Sequence, residues 1–302
     1  MPKKMRVSVI LPAYYSDRTI ALSLNSLRSQ TFRDFEVIVV NSSPEERTRQ
    51  LVSEEFPEVR FYQSPNRLLP HAARNKGVSL SHGEILVFTD PDCQCAPDWL
   101  AKLIAAHGAG HPVVGGSMGL TSDLWFENGV HLSKFHWLLR GLPQAPRWIL
   151  PTANVSYTRN VLNITGPFDG TIFGGDALQS WRVAAAGYQP WFEPQAVVKH
   201  HHGGTTASFW RERRSRGEEF ANVRVQFEDW PLWRLVSYIL FFPLLPLLVL
   251  IRAGGDAAKS GWTGRYLATI PLQLVGHLGW ALGETRAYTK IVSGKLMKWF
   301  SG

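Results

Sequence analysis

The sequence predicts an α/β fold: a mainly parallel sheet with flanking helices, followed by a C-terminal hydrophobic helical hairpin. Three observations predict it. Strand-like and helix-like segments alternate with short connections through the first ninety residues. Pro12–Tyr15, Asn41–Ser43 and Asp90–Asp92 all fall where strands of such a sheet would end. The last seventy residues hold two long uncharged runs. At 302 residues, 45% of them hydrophobic and 19% charged, the chain can bury a full core.

Val7 to Leu11 is a continuous β-rich run, as in a strand buried on both faces, and Pro12 ends it. "DRTIALSLNSLRSQT" places apolar residues at 20, 22, 24 and 27 and predicts a helix. "FEVIVV" is a second strand, "RTRQLVSEEF" a helix, "VRFYQ" a third strand and "HAARNKGVSLSHG" a helix stopped by Gly83. "EILVFT" is a fourth strand, running directly into Asp90 and Asp92. Such alternation implies right-handed crossovers and helices on both sheet faces. Ligands then gather at the carboxyl ends of the strands. Two arrangements make the adjacent carboxylates tolerable there: a solvated turn, or a cation between their oxygens.

Beyond residue 112 the rhythm changes. "PVVGGSMGL" is strand-like, "FENGVHLSKFHWLLRGLP" helical and aromatic, and "ILPTANVSYTRNVLNITGPFDG" reads as strand, turn and short helix. A Gly-opened loop leads to a helix over Ala177–Ala186, with Asp176 at its N-cap and Gly187 as its stop. The strand "AVV" then runs into His200, His201 and His202. Leu235–Ile251 is 17 residues without a charge and Tyr266–Gly283 is 18, both at the short end of what crosses a bilayer. Trp230, Trp233, Trp262 and Trp280 flank or end these runs as interfacial anchors would. Membrane association is the expectation, by spanning or by lying in the interface; a buried or interfacial helical hairpin is the alternative that Pro243 and Pro246 keep open. Three segments are expected: 1–115, 116–228, and 229–302 as hydrophobic hairpin and basic tail.

The formal charge is +8, and residues 252–302 hold seven Lys/Arg against two acids. No basic groove interleaved with aromatics stands out, which speaks against nucleic acid; basic residues beside apolar runs suit an anionic membrane surface. Cys93 and Cys95 are too close for an ordinary disulfide and too few for structural zinc, so a reduced, cytosolic setting is expected, with both thiols packing beside the site. "MPKKMRVSVILPAYY" has no signal-like apolar region, so the chain is expected to start in the cytosol.

The ordered series "VSVILPAYY", "SLRSQTFRDFEVIVVNSS", "ARNKGVSLSHGEILVFTDPDC", "PDWL", "TANVSYTRNVL" and "FGGDALQSWRVAAAGYQPWFEPQAVVKHHH" resembles the inverting nucleotide-sugar glycosyltransferases of family two, over roughly residues 6–225. The resemblance implies the GT-A fold, a Rossmann-like sheet. It also implies a nucleoside-diphosphate sugar donor, by default a UDP-sugar, and Mg²⁺ or Mn²⁺ as cofactor. A carboxylate-held divalent ion offsets charge developing on the leaving diphosphate, and both ions favour oxygen donors. By the same resemblance Asp92 is the direct metal ligand, Asp90 faces ribose or metal, and a histidine among His200–His202 completes the metal shell or contacts the diphosphate, with His200 and His202 the candidates carried forward. Asp176 stands where the family places its catalytic base, usually Glu-Asp; here Gly175 fills the first position. Helix capping is the other use of Asp176. Pro12, Tyr14 and Asn41 are expected at the nucleotide, Asn41 replacing the family's Asp at the base. Arg74 is expected at phosphate, and Arg213 and Arg214 match an arginine-bearing region that binds diphosphate or lipid phosphate.

These residues imply a membrane-associated enzyme whose catalytic domain faces the cytoplasm at the inner or plasma membrane. It would move sugar to a hydroxyl of a lipid, lipid-linked or cell-surface glycan acceptor. A polyprenyl-phosphate sugar synthase, a nucleotidyltransferase and an inactive membrane-bound sugar-binding scaffold are the competing readings.

Overall fold

The computed structural model describes residues 7–301, apart from the side chains of residues 296 and 298–301. The start of the chain expected in the cytosol, Met1–Arg6, lies outside the described residues, as does the side chain of Lys298 in the basic tail. The described residues form two compact units: one runs to Thr121 and resumes over Pro143–His201, the other joins Ser122–Leu142 to the segment from His202 onward. In this division the helix after Ser122 goes with the C-terminal helices, against which it packs.

The first unit is built on one mixed sheet. Its strands are β1 (Val7–Ala13), β2 (Phe35–Asn41), β3 (Arg60–Gln63), β4 (Ile85–Thr89), β5 (Cys93–Cys95), β6 (Val113–Leu120), β7 (Ala145–Pro146), β8 (Asn154–Thr158) and β9 (Trp191–His200). They lie in the order β3-β2-β1-β4-β8-β6-β9-β5, with β7 also on β9. The first four are parallel, as the alternation predicts. Every residue of β1 and β4 is buried, which is why these strands read as unbroken apolar runs. Helices α1 (Ile20–Arg28), α2 (Arg47–Glu55) and α3 (Pro70–Leu80) make the crossovers, and α4 (Trp99–Gly108) follows β5. Beyond β4 the sheet continues antiparallel through β8, and β5 pairs antiparallel with the end of β9.

Asn154 holds this second half together. Its side-chain amide donates to the carbonyls of Ser117 and Ala196, each at 2.9 Å, and its Oδ1 accepts from the Trp99 indole at 2.8 Å. The β6–β9 register shifts at Gly116/Ser117, and Asn154 satisfies backbone carbonyls on both sides of that irregularity.

After β8 come α6 (Arg159–Thr165) and α7 (Gly175–Ala185). Asp176 lies in the first turn of α7 and Gly174 is its N-cap, so the helix begins slightly before the position the sequence suggested. The loop between α6 and α7 is fastened to α3. Asn75 exchanges hydrogen bonds with the backbone of Phe168, His71 Nε2 donates to the Phe173 carbonyl at 3.0 Å, and the His71 ring stacks on Phe168. This contact explains Gly175. A Cβ there would lie 2.7 Å from the His71 ring and 3.1 Å from the Asp169 carbonyl, so the space of a side chain is already filled.

The second unit contains α5 (Trp125–Phe135), α8 (Thr206–Glu228), α9 (Leu232–Leu240), α10 (Leu245–Lys259) and α11 (Thr263–Ser301). Gly217 and Gly283 let α8 and α11 cross with their backbones in contact; a Cβ on either would fall within 2.2 Å of the other helix's backbone. Arg224 pairs with Glu284 at 3.0 Å, and its guanidinium lies over the Trp230 ring at 4.4 Å.

The two apolar runs meet different fates. Tyr266–Gly283 falls within α11, where Leu272, Gln273, His277 and Ala281 are buried against the neighbouring helices. Trp230 is 1% exposed and belongs to the core with Leu235 and Tyr288; it is no interfacial anchor. Trp280 and Trp262 carry Arg213 and Arg265 on their ring faces. Among the described residues no single helix is long and apolar enough to cross a membrane. The pair Leu232–Leu240 and Phe242–Lys259, bent by 56°, meets that length and composition only together.

Asn154→Ala would orphan two carbonyls and an indole N–H in the core; denaturant unfolding should show a loss of about 3 kcal/mol or more. Gly175→Ala should cost about 1–3 kcal/mol by overpacking against His71. In a double-mutant cycle with His71→Ala, the two substitutions together should cost less than the sum of each alone.

Candidate functional site

In the first unit, a cavity of about 260 Å³ opens at the carboxyl ends of β1, β2 and β4. Pro12, Tyr14, Ser42, Arg67, Arg74, Asp90, Asp92 and Phe173 are among the residues lining it. The turn after β1 is pinned from two sides. Ser43 Oγ accepts from the Tyr15 amide at 2.6 Å, and Ser16 Oγ from the Tyr14 amide at 3.1 Å. Tyr15 takes a left-handed backbone, φ 50°, a conformation that costs energy for an aromatic residue and is retained by such contacts. The Arg67 guanidinium covers the Tyr14 ring at 4.7 Å.

Asn41 is expected at the base, but it is fully buried and does not line the cavity. Its Nδ2 donates to Gln63 Oε1 at 2.9 Å, and its Oδ1 accepts from the Ser43 hydroxyl at 2.9 Å. Asn41 therefore orients Ser43, which in turn holds the Tyr15 amide. An aspartate here would keep the acceptor toward Ser43 and lose the N–H toward Gln63.

The two aspartates have different partners. Asp90 Oδ1 is ion-paired with the buried Arg74 guanidinium. Asp90, expected at ribose or metal, is thus matched by a protein cation, and Arg74, expected at phosphate, spends Nη2 on Asp90. Both still line the cavity. Asp92 instead approaches His200, with Nε2 and Oδ2 3.7 Å apart. The β5–β9 pairing makes this possible, setting Cys93 directly opposite His200. Asp92, Cys93 and His200 offer donor atoms that all lie within 4.8 Å of one another. A carboxylate, an imidazole and a thiol in that space fit a divalent cation. Burial, then Asp92 and Asp90, push the Cys93 thiol well up; burial pushes Cys95 up to about 12.

Of the three histidines, His200 is the one grouped with Asp92. The His201 amide donates to the Asp92 carbonyl at 3.2 Å. His202 belongs to the second unit, buried with its Nε2 3.2 Å from His131 Nδ1. Arg213 and Arg214 are also in the second unit. Arg213 lies over the Trp280 ring at 4.3 Å, and burial pulls its guanidinium down to about 10; Arg214 is exposed.

Asp176 is half-buried in the first turn of α7, its Oδ1 accepting from the Ala177 amide at 2.9 Å. The buried Tyr157 hydroxyl senses both it and Arg74: burial and then the Asp176 carboxylate push its pKa up, while Arg74 draws it down. Tyr157 and Arg67 carry no pattern that would single them out in sequence, and Ser43 is marked only by its place at the end of a strand. Arg67 reaches the cavity from the loop between β3 and α3, Ser43 lies past the end of β2 and holds the β1 turn, and Tyr157 lies on β8 beside β4.

The family model for glycosyl transferase family 2 matches residues 8–168, more than half of the chain. The chain is 28% identical over 201 residues to the glycosyltransferase AglE of Haloferax volcanii, covering 64% of this chain and 66% of that protein, just under two thirds of its length. It is 32% identical over 88 residues to WfgD of Escherichia coli, named as a UDP-Glc:α-D-GlcNAc-diphosphoundecaprenol β-1,3-glucosyltransferase, covering 28% of this chain and 34% of that one. The mannosyltransferase PcManGT from Pyrobaculum calidifontis, solved with GDP-Man and Mn²⁺, superposes with a TM-score of 0.58 at 20% identity, over 95% of this chain and 83% of that one. That likeness shows a shared fold. With the GT-A sheet in place and the family model spanning β1 through β8, the chain belongs to glycosyl transferase family 2.

Proposed function

We propose that this chain transfers a sugar, with inversion and in a metal-dependent reaction, from a nucleoside-diphosphate sugar to a hydroxyl group of a lipid-linked or other membrane-bound glycan. The observation that carries the reading is the meeting, at one sheet edge, of the Asp90–Arg74 pair, the Asp92–His200 pair and a 260 Å³ cavity. Tyr14 and Arg67 offer a flat, cationic surface for the nucleotide. Arg74 is matched to Asp90, whereas Asp92 faces His200, so the two carboxylates of the cavity have different partners. Asp92 and His200 would hold Mg²⁺ or Mn²⁺, which when bound offsets the charge on the leaving diphosphate. Asp176 takes the proton from the acceptor hydroxyl. The acceptor oxygen then bonds to the anomeric carbon from the face opposite the nucleoside diphosphate, which leaves with the electrons of the broken C–O bond.

The acceptor class is supported by the name of WfgD, whose acceptor sugar is carried on diphosphoundecaprenol, and by the surface of the second unit. Along α9 and α10, Trp233, Leu240, Phe241 and Ile251 are 59–70% exposed. Arg252, Lys259 and Arg265 lie in and after α10, within a basic tail. This bent pair lies in the headgroup region of the cytoplasmic leaflet, its apolar side chains inserted and its cations on anionic lipid.

Asp92→Ala, or removal of metal with EDTA, should lower transfer by about 10³-fold, and Asp176→Asn should lower kcat by about 10²–10⁴-fold at unchanged donor binding. A nearly silent Asp176→Asn would point instead to an acceptor phosphate that is already ionised, as in polyprenyl-phosphate sugar synthesis. In vesicle flotation, the protein should bind liposomes containing anionic phospholipid. Ile251→Glu with Leu240→Glu should weaken that binding at least about tenfold, since each inserted side chain contributes about 1.5–3 kcal/mol; unchanged flotation would refute the interfacial placement.

A further inference from the structure

We infer that Cys93 is a third protein donor of the Asp92–His200 site, and that this makes the site a receptor for thiophilic divalent cations such as Zn²⁺ or Cd²⁺, which displace the ion that supports transfer. The inference rests on the metal-binding reading proposed above.

Three facts place the thiol. Cys93 is the first residue of β5 and sits directly across from His200 in an antiparallel pair, so the two side chains share a sheet face. Its Sγ lies 3.8 Å from Asp92 Oδ1, while His200 Nε2 lies 3.7 Å from Asp92 Oδ2. Both cysteines are free and buried, so no disulfide competes for the sulfur. Around zinc, bonds of about 2.3 Å to sulfur and about 2.0–2.1 Å to nitrogen and oxygen put tetrahedral donors about 3.3–3.6 Å apart. The thiol and the imidazole exceed that by a few tenths of an ångström, each toward a different oxygen of Asp92, and with one donor atom from each residue all three lie within 4.8 Å of one another. Small side-chain rotations would close the shell.

The consequence follows from coordination number. Mg²⁺ and Mn²⁺ prefer six oxygen-rich positions and leave several for substrate phosphate. A thiophilic ion held tetrahedrally by Asp92, Cys93 and His200 keeps one open position. It binds more firmly and presents less to a diphosphate. Binding replaces the S–H bond by a metal–sulfur bond and releases the proton to solvent, with no change of oxidation state. Cys93, which the sequence presents as packing, becomes the residue that sets which cations the site admits.

The test uses the full-length chain, stripped of metal and titrated with Cd²⁺ while the ultraviolet thiolate-to-cadmium charge-transfer band is followed. Mn²⁺ binding is measured in parallel by electron paramagnetic resonance. The expected result is a band that saturates at one Cd²⁺ per chain as bound Mn²⁺ is released. Cys93→Ser should abolish the band and weaken Cd²⁺ binding at least about tenfold, with Cys95→Ser keeping both. Asp92→Ala, in which the thiol is intact, should weaken Cd²⁺ binding as well; it supplies the same test if Cys93→Ser does not fold. A chain that binds Mn²⁺ through Asp92 but shows no band with Cd²⁺, or a band that survives Cys93→Ser, overturns the role of Cys93 and leaves the metal reading standing. If Mn²⁺ does not bind at all, both readings fall.

Discussion

The antiparallel pairing of β5 with the end of β9 is the contact on which the site depends. The two segments are more than a hundred residues apart in sequence, and each alone carries only part of the proposed metal site. Three residues of strand suffice to join them, because Cys93 faces His200 and Cys95 faces Val198 in fixed register. A shift of one residue would turn Cys93 and His200 to opposite faces. The register is guarded from behind: Ser26 accepts from the Cys95 amide at 3.0 Å, and Gln30 bridges the Ala96 carbonyl and the Leu100 amide. Asn154, tying β6, β8 and β9 to Trp99, fixes the strand to which β5 must add. The site is thus assembled by hydrogen bonds with no reactive role.

Electrostatics then separates two carboxylates that the sequence presents as equivalent. Asp90 and Asp92 are one residue apart, yet Pro91 and the turn closed by the Cys93 amide on the Asp90 carbonyl send them to different partners. Asp90 meets a buried guanidinium whose own desolvation requires an anion beside it. Asp92 meets a histidine and a thiol, neither of which supplies a fixed positive charge. One acid is thereby matched by a guanidinium of the fold, and the other by an imidazole and a thiol, the donors of the proposed metal site. That asymmetry answers how the pair is tolerated: by an arginine on α3 for one member, and by the chemistry proposed for the site for the other.

Much of the first unit was legible because its signals are local. Buried parallel strands read as unbroken apolar runs, and the alternation with helices placed Pro12, Asn41 and Asp90 at one edge. What was not legible depends on long-range packing. Nothing near Asn41 indicates that its amide is spent on Gln63 and Ser43 beneath the cavity wall. Nothing near Gly175 indicates that His71, more than a hundred residues earlier, occupies the space its side chain would need. The three consecutive histidines looked alike; only the end of β9 divides them, leaving His200 opposite Cys93 and carrying His202 into the other unit.

The C-terminal helices show why hydropathy alone misplaces a membrane segment. Leu235–Ile251 and Tyr266–Gly283 are nearly equal in length and equally uncharged, but their glycines and polar residues differ in position. In α11, Gly276, Gly279 and Gly283 lie toward α5 and α8, with Gln273 and His277 buried on the same side. Small residues permit close approach, and a buried amide is tolerated because Gln273 donates to Thr269 Oγ1 and the Tyr266 carbonyl. That face is built for protein. Along α9 and α10, the pair Phe242–Pro243 ends one helix, and leucines, Phe241 and Ile251 are left outward with no polar atom to satisfy. Burying such a surface releases water without stranding a hydrogen-bonding group, and a lipid interface can accept it. The apolar content of the two runs is similar; the distribution of small and polar residues decides which one turns inward.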